Sequence, residues 1–467
     1  MKTKSTTSQR NLPNPPSLWR SIGPSFILLG LALGSGELIL WPYLAATYGL
    51  GLLWGALLGI TLQFVLNTET MRYSLAWGES VFVGFRRISR LIPAWFVIST
   101  LIPWSLPGFS SASAELLSGF VPRIPTTVIA LALLVLVGII LTAGSSLYKT
   151  MERFQTIIIL LGLPFLFYLS WVLSSTNDWQ LALQGLAGKG EGFWFFPQGV
   201  AISAFLGAFA YAGAGGNLNL AQSYYIKEKG FGMGAFSGKI SSLFTKNAQP
   251  MVLEGETFTQ TPSNLKKWQA WWNLVNREHF LVFWVLGFLT IVVLSVLARA
   301  TVYGQATESG LSFIYGEAAV IGEKLHPQMG TFFLLIAALT LFSTQVGVLE
   351  SSTRIISENI LLLSTKKGQK VHASKWFYIA LWSQILLGSV VYLSGFSEPR
   401  ILLTLSAVLN AAAMMMAFVF IWWLNRVRLP KNLRPSVVRV SLMGGAVLFF
   451  GYFLLITLQQ FLKNATL

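Results

Sequence analysis

Two short stretches of this chain hold the residues best placed to do chemistry. Glu37 follows directly on Gly34-Ser35-Gly36, and Asn217 follows directly on Gly213-Ala214-Gly215-Gly216. Both lie inside apolar runs, 22–44 and 198–226, long enough to cross a bilayer, which takes roughly 20 helical residues. Each glycine lowers helix propensity by ~1 kcal/mol relative to alanine. An ionisable side chain near mid-membrane costs at least ~2.5–3.5 kcal/mol on insertion scales. An anchor needs neither. Interrupted membrane helices free backbone carbonyls, and a carboxylate plus an amide oxygen beside them make a hard-oxygen cation site. The predicted ligands are the side chains of Glu37 and Asn217, with carbonyls around Gly34, Ser35 and Gly36 and around Ala214, Gly215 and Gly216. None of the ten methionines falls in either stretch, so the broken segments offer no thioether. Softness matching then favours Mg²⁺, Ca²⁺, Mn²⁺ or Na⁺ over softer metals. The bland readings are a glycine packing face with a snorkelling or protonated glutamate, or a glycine zipper between helices. A zipper does not readily produce two breaks, each followed by a polar side chain.

The other chemistry-bearing residues are sparse. Glu350 is expected near the inner end of span eight, four before Arg354, where an intrahelical ion pair is an equal reading. Glu69, three before Arg72, reads as structural or interfacial. Asp178 is the sole aspartate and lies in an outer loop. His279, His326 and His372 fall at expected span ends or in loops, so no histidine is predicted inside the membrane. The neutral polar groups expected at depth are Gln63, Asn217, Asn219, Gln222, Ser343, Gln345 and Asn410. No spacing of Ser, His and Asp supports a hydrolase, and zero cysteines exclude disulfides and thiolate chemistry.

The elements that position these residues follow from composition. The 467 residues are 54% hydrophobic and 11% charged, with mean hydropathy +0.62. That is an all-α polytopic membrane protein. Eleven spans are predicted, near 22–44, 47–68, 91–110, 124–143, 153–173, 198–226, 279–302, 329–350, 375–395, 400–425 and 437–461. All 33 lysines and arginines but Arg123, Lys189, Arg299, Lys324, Arg400 and Lys463 fall on the side of the N-terminus. The positive-inside rule therefore predicts a multi-pass cell-membrane protein, N-terminus cytoplasmic and C-terminus opposite. It also accounts for the net charge of +16 without nucleic acid.

No cleavable signal peptide is evident. Residues 1–20 are expected to be a disordered cytoplasmic tail and 21–467 a single transmembrane domain. Interrupted helices five spans apart point to inverted repeats over about 22–173 and 198–425, with an extra helix at 437–461. No residue-level repeat accompanies them. In the long polar connection 227–278, Ser263 is expected to cap a helix with Leu265, Trp268, Trp272 and Val275 on one face. That helix reads equally as an interfacial element or as an extension of span seven.

GPSFILLGLALGSGELILWPYLAATYGLGLLW resembles the first span of the Nramp family of proton-coupled divalent metal transporters. The resemblance implies a LeuT-type fold with helices 1 and 6 broken. In that register Gly34-Ser35-Gly36-Glu37 stands where the family has Asp-Pro-Gly-Asn. Ala214-Gly215-Gly216-Asn217 stands where Met-Pro-His-Asn is usual, and Gln345 matches a glutamine of span eight. The aspartate, methionine and histidine of those motifs are Gly34, Ala214 and Gly216 here. A carboxylate is retained but moved by three residues, almost one helical turn. The chain looks like a divergent branch, similar to relatives that carry hydrated magnesium.

The function expected is a secondary transporter moving a divalent metal cation (Mn, Fe or Mg-like) across the membrane by alternating access, with no resident cofactor. Its partners would be the metal ion substrate, the lipid bilayer and, as a candidate coupled ion, the proton. An amino-acid or other small solute carrier of the same superfamily is the alternative. There half-helix amides at the Gly-Ser-Gly break would hold a substrate carboxylate. A sensor or membrane enzyme has no catalytic constellation to support it.

Overall fold

The computed structural model describes residues 10–143, 147–238, 251–305, 311–366 and 368–465; the side chains of Ser35, Asn464 and Ala465 lie outside that description. Among the described residues ten helices are long and apolar enough to span a membrane: Pro24–Tyr48, Leu50–Trp77, Ile92–Ser118, Thr126–Ala143, Leu147–Leu173, Pro262–Val302, Pro327–Ser364, Ala373–Leu393, Pro399–Arg428 and Val437–Lys463. The sixth span is broken into Ile202–Ala210 and Gln222–Lys229 and completes the expected eleven. No strand is named among the described residues, only isolated bridges.

Burial separates spans that hydropathy alone makes equivalent. The core window of the first span is 94% buried, against 28% for the fourth and 22% for the eleventh. Uniformly apolar helices face lipid, while a helix carrying small and polar residues is held inside the bundle. The eighth span runs 38 residues, well past the expected boundary at 350, so Glu350 sits within the helix and is fully buried.

In the long connection one expectation is corrected and one open alternative is decided. Thr261, not Ser263, caps the helix Pro262–His279, accepting from the Asn264 N–H (3.3 Å). Proline at the first position suits it, since that N–H has no helical partner. The helix then continues through a π-helical stretch, Phe280–Leu286, into the membrane, so it is the extension of span seven. Nor is the tail from Arg10 onward disordered. Leu12 is fully buried, its N–H donates to Asn264 Oδ1 (3.2 Å), and Trp271 Nε1 donates to the Pro13 carbonyl (2.8 Å). Residues 1–9 of that expected tail lie outside the described residues.

Candidate functional site

The interruption of the first span is a π-helical stretch, Leu33–Leu40, between α-helical Pro24–Ala32 and Trp41–Tyr48, rather than an unwound gap. Its cause is an inserted side chain. The Thr344 hydroxyl of span eight donates to the Gly30 carbonyl (2.9 Å) and accepts from the Gly34 N–H (3.0 Å). The pair that would have closed an α-turn is thus satisfied through a foreign oxygen.

The sixth span is truly broken. Residues 211–215 are non-helical, and Gly215 (φ 77°) and Gly216 (φ 50°) occupy the left-handed region, open to glycine at little cost. The polar groups this exposes are served by Gln63 of span two. Its Nε2 donates to the Ala210 carbonyl (3.1 Å), and its Oε1 accepts from the Gly215 N–H (3.2 Å) and Asn219 Nδ2 (3.1 Å). The two interrupted spans meet at Gly36, whose Cα faces the Tyr211 carbonyl so closely that any Cβ would overlap it.

Around Gly216 the site is built from amides. Asn217 Nδ2 donates to Ser99 Oγ (2.8 Å) and Thr100 Oγ1 (2.9 Å) of span three, while its Oδ1 is buried without a partner. Asn410 Nδ2 donates to the Tyr211 hydroxyl (3.1 Å), and its Oδ1, against Gly216, is likewise unpartnered. Asn219 Oδ1 and Gln222 Oε1 add two more. An unsatisfied buried acceptor costs about 1–3 kcal/mol, so each of these oxygens calls for a donor or a cation. Asn410 was legible only as a polar residue at depth; no motif tied it to the break.

The expected pairing of Glu37 with Asn217 is not what the geometry brings together. Glu37 is fully buried and turns toward span seven, beside Gly287 and Thr290, with no hydrogen bond to either oxygen. The Thr290 hydroxyl is spent on the Leu286 carbonyl (2.8 Å). Gln345 accepts from the Ser110 N–H (3.1 Å) and so ties span eight to span three. Among the described residues no three His, Cys, Asp or Glu side chains cluster as metal ligands.

The expectation that no histidine lies inside is also corrected. His279 is fully buried, stacked between Phe64 and Phe283, with Nδ1 2.7 Å from Ser25 Oγ. Ser25 Oγ also donates to Glu278 Oε2 (2.5 Å). The extended seventh helix carries both groups into the bundle, which a hydropathy boundary at 279 could not reveal.

Below the break, spans six and eight are locked together. Arg354 pairs with Glu350 and with Glu228 of the Gln222–Lys229 segment, all three buried, and Tyr225 donates to Glu350 Oε2 (2.9 Å). The Glu350–Arg354 ion pair is therefore real but gains a third member from another span. Lys229 adds a bridge to Glu152 of span five (2.5 Å), and Glu69 pairs with Arg72 (2.7 Å) and Arg439 (3.1 Å). At the other end Arg299 joins span seven to Asp178 and to Glu191 (2.7 Å).

No known family's sequence profile matches this chain, and no curated protein matches it. Solved structures do. A manganese transporter of Eremococcus coleocola, in complex with an aromatic bis-isothiourea substituted compound, superposes with a TM-score of 0.68 at 14% identity, covering 98% of this chain and 90% of that one. Mhp1, a nucleobase-cation-symport-1 family transporter with bromovinylhydantoin bound, gives 0.55 at 11%, covering 96% and 95%. MhsT in complex with L-phenylalanine gives 0.50 at 14%, covering 93% and 97%. The resemblance to Nramp transporters is met at the level of fold: this chain is an all-helical, multi-pass membrane protein with the LeuT-type transporter architecture.

Proposed function

We propose that this transporter carries a divalent, hard, partly hydrated cation across the cell membrane by alternating access, with its N-terminus in the cytoplasm. The carrying observation is the set of unpartnered oxygens around Gly216, Asn217 Oδ1 and Asn410 Oδ1 foremost. With the carbonyls of the broken segment, these oxygen acceptors suit a hard cation such as Mg²⁺ or Mn²⁺. Retained water would complete the shell of Mg²⁺, which dehydrates reluctantly. Glu37 is one residue from Gly36, and Gly36 abuts the break at Tyr211. It serves as counter-charge rather than direct ligand, and as the group that could exchange a proton for the ion. The Glu228–Arg354–Glu350 lock is the inner gate.

A second reading is a small organic solute whose N–H donors satisfy the same oxygens. The observation favouring it is that Glu37, the deep carboxylate of the first span, turns away from the break toward Thr290. Uptake into proteoliposomes of Mn²⁺ and Mg²⁺, against amino acids and nucleobases, separates the two. Saturable metal uptake supports the first reading; solute uptake with no metal uptake overturns it.

A further inference from the structure

Span ten and the connection after it line a groove that includes none of the residues placed around Gly216. On span ten, Val419, Trp422, Trp423, Arg426 and Val427 fall at the spacing of one helix face, and Arg434 reaches the same groove from the connection to span eleven. Together they line a groove of about 480 Å³. Trp422, Trp423 and Val427 are exposed at 37%, 39% and 55%, and both arginines are exposed.

Charge there is unbalanced. No Asp or Glu occurs anywhere from Pro399 to Leu467. Among the described residues no ion pair involves Arg426 or Arg434; Arg434 Nε donates to the Leu429 carbonyl (3.0 Å), which leaves its terminal nitrogens free. Neighbouring arginines, by contrast, are engaged: Arg439 holds Glu69 and Asn276, and Arg428 lies over Trp77. Span ten ends at Arg428, so the groove lies at the membrane boundary, on the face that the basic connections assign to the cytoplasm.

We propose that this groove is a binding site for an anionic phospholipid. The guanidinium forks of Arg426 and Arg434 take the phosphate, since planar, always-charged arginine matches its oxygens bidentately. One acyl chain lies along Val419, Val427 and the indole faces, whose amphipathic rings belong at the headgroup level. A zwitterionic lipid brings a positive group of its own and is the poorer fit. The site faces the lipid and is independent of the ion transported.

The test uses full-length protein in detergent, supplemented with phosphatidylglycerol, phosphatidylcholine or soluble glycerol phosphate. Thermal unfolding and lipid retention in native mass spectrometry are both read. Phosphatidylglycerol should raise the wild-type Tm and co-purify through the mass spectrometer, and the other two should not. Arg426→Gln with Arg434→Gln should lose about half or more of that rise, given the weight of each basic residue at an anionic surface. Arg426→Gln alone removes no intramolecular partner, so it keeps the test open should the double variant fold poorly. An equal response to phosphatidylcholine, an equal response to glycerol phosphate, or an unchanged phosphatidylglycerol shift in the variants overturns the proposal. These readouts need no transport, so a wrong substrate assignment would not disturb them.

Discussion

Gly36 lies against the carbonyl of Tyr211 with no room for a Cβ, so the first and sixth spans touch backbone to backbone where both depart from α-helix. Gly36→Ala must push the two spans apart, and overpacking of this kind costs about 1–3 kcal/mol. The expected outcome is a folded protein with lower Tm and little uptake in proteoliposomes. Uptake at the wild-type rate would show that the contact is dispensable.

Thr344 holds the π-helical stretch open. Thr344→Val keeps the shape but strands the Gly30 carbonyl and the Gly34 N–H, at about 1–3 kcal/mol for each group left unsatisfied. The first span should either close to a regular α-helix or fray there. Hydrogen exchange at Gly34 and its neighbours measures this; protection identical to wild type would remove Thr344 as the cause.

The proposed transport of a divalent cation gives Glu37 the part of counter-charge and Asn217 that of ligand. Asn217→Ala and Asn410→Ala should each weaken ion affinity by about tenfold or more, as for loss of a charge-assisted contact. Glu37→Gln should weaken divalent ions to a similar degree through charge alone, while leaving a monovalent or neutral competitor nearly unaffected. Isothermal titration of the three variants decides it. Unchanged divalent affinity in Glu37→Gln would dismiss the counter-charge role.

The buried Glu228–Arg354–Glu350 cluster should govern inner opening. Removing one member of a buried pair costs about 3–5 kcal/mol. The chain has no cysteine, so a single engineered Ser223→Cys is a clean reporter just behind the lock. With Glu228→Gln added, maleimide labelling from the basic face should accelerate several-fold. Equal labelling rates with and without Glu228→Gln would argue that the lock is not a gate.

Glu79 lies outside the spans, in the turn after the second, and burial lifts its carboxyl from an ordinary 4.5 to about 7. Arg87 (2.5 Å), the Tyr73 hydroxyl (2.5 Å), the Gly255 N–H (2.7 Å) and Arg428 face it and oppose that rise only in part. A raised carboxyl binds its proton more tightly in the folded state. Its stabilising contribution is therefore complete below about 4.5 and is lost as pH climbs through about 7. Glu79→Gln removes this dependence, so its Tm relative to wild type should improve from pH 5 to pH 8. A constant difference across that range would contradict the raised value.

The sequence alone determined the bilayer class, the span count, the basic-side asymmetry and the two interrupted helices. Those properties depend on residue types along one helix, which hydropathy, glycine content and lysine placement report directly. Which way a side chain turns depends on neighbours hundreds of residues away. Glu37 and Asn217 each follow a glycine pair, yet Glu37 faces span seven and Asn217 span three. Thr344, 310 positions from Gly34, decides that the first interruption is a π-helical turn rather than a gap. His279 looked like a span end because polarity falls abruptly there, but packing of the seventh helix against Phe64 and Ser25 draws it inside. Backbone interruptions are local and readable, whereas the partners that satisfy them are tertiary and are fixed only when the helices pack.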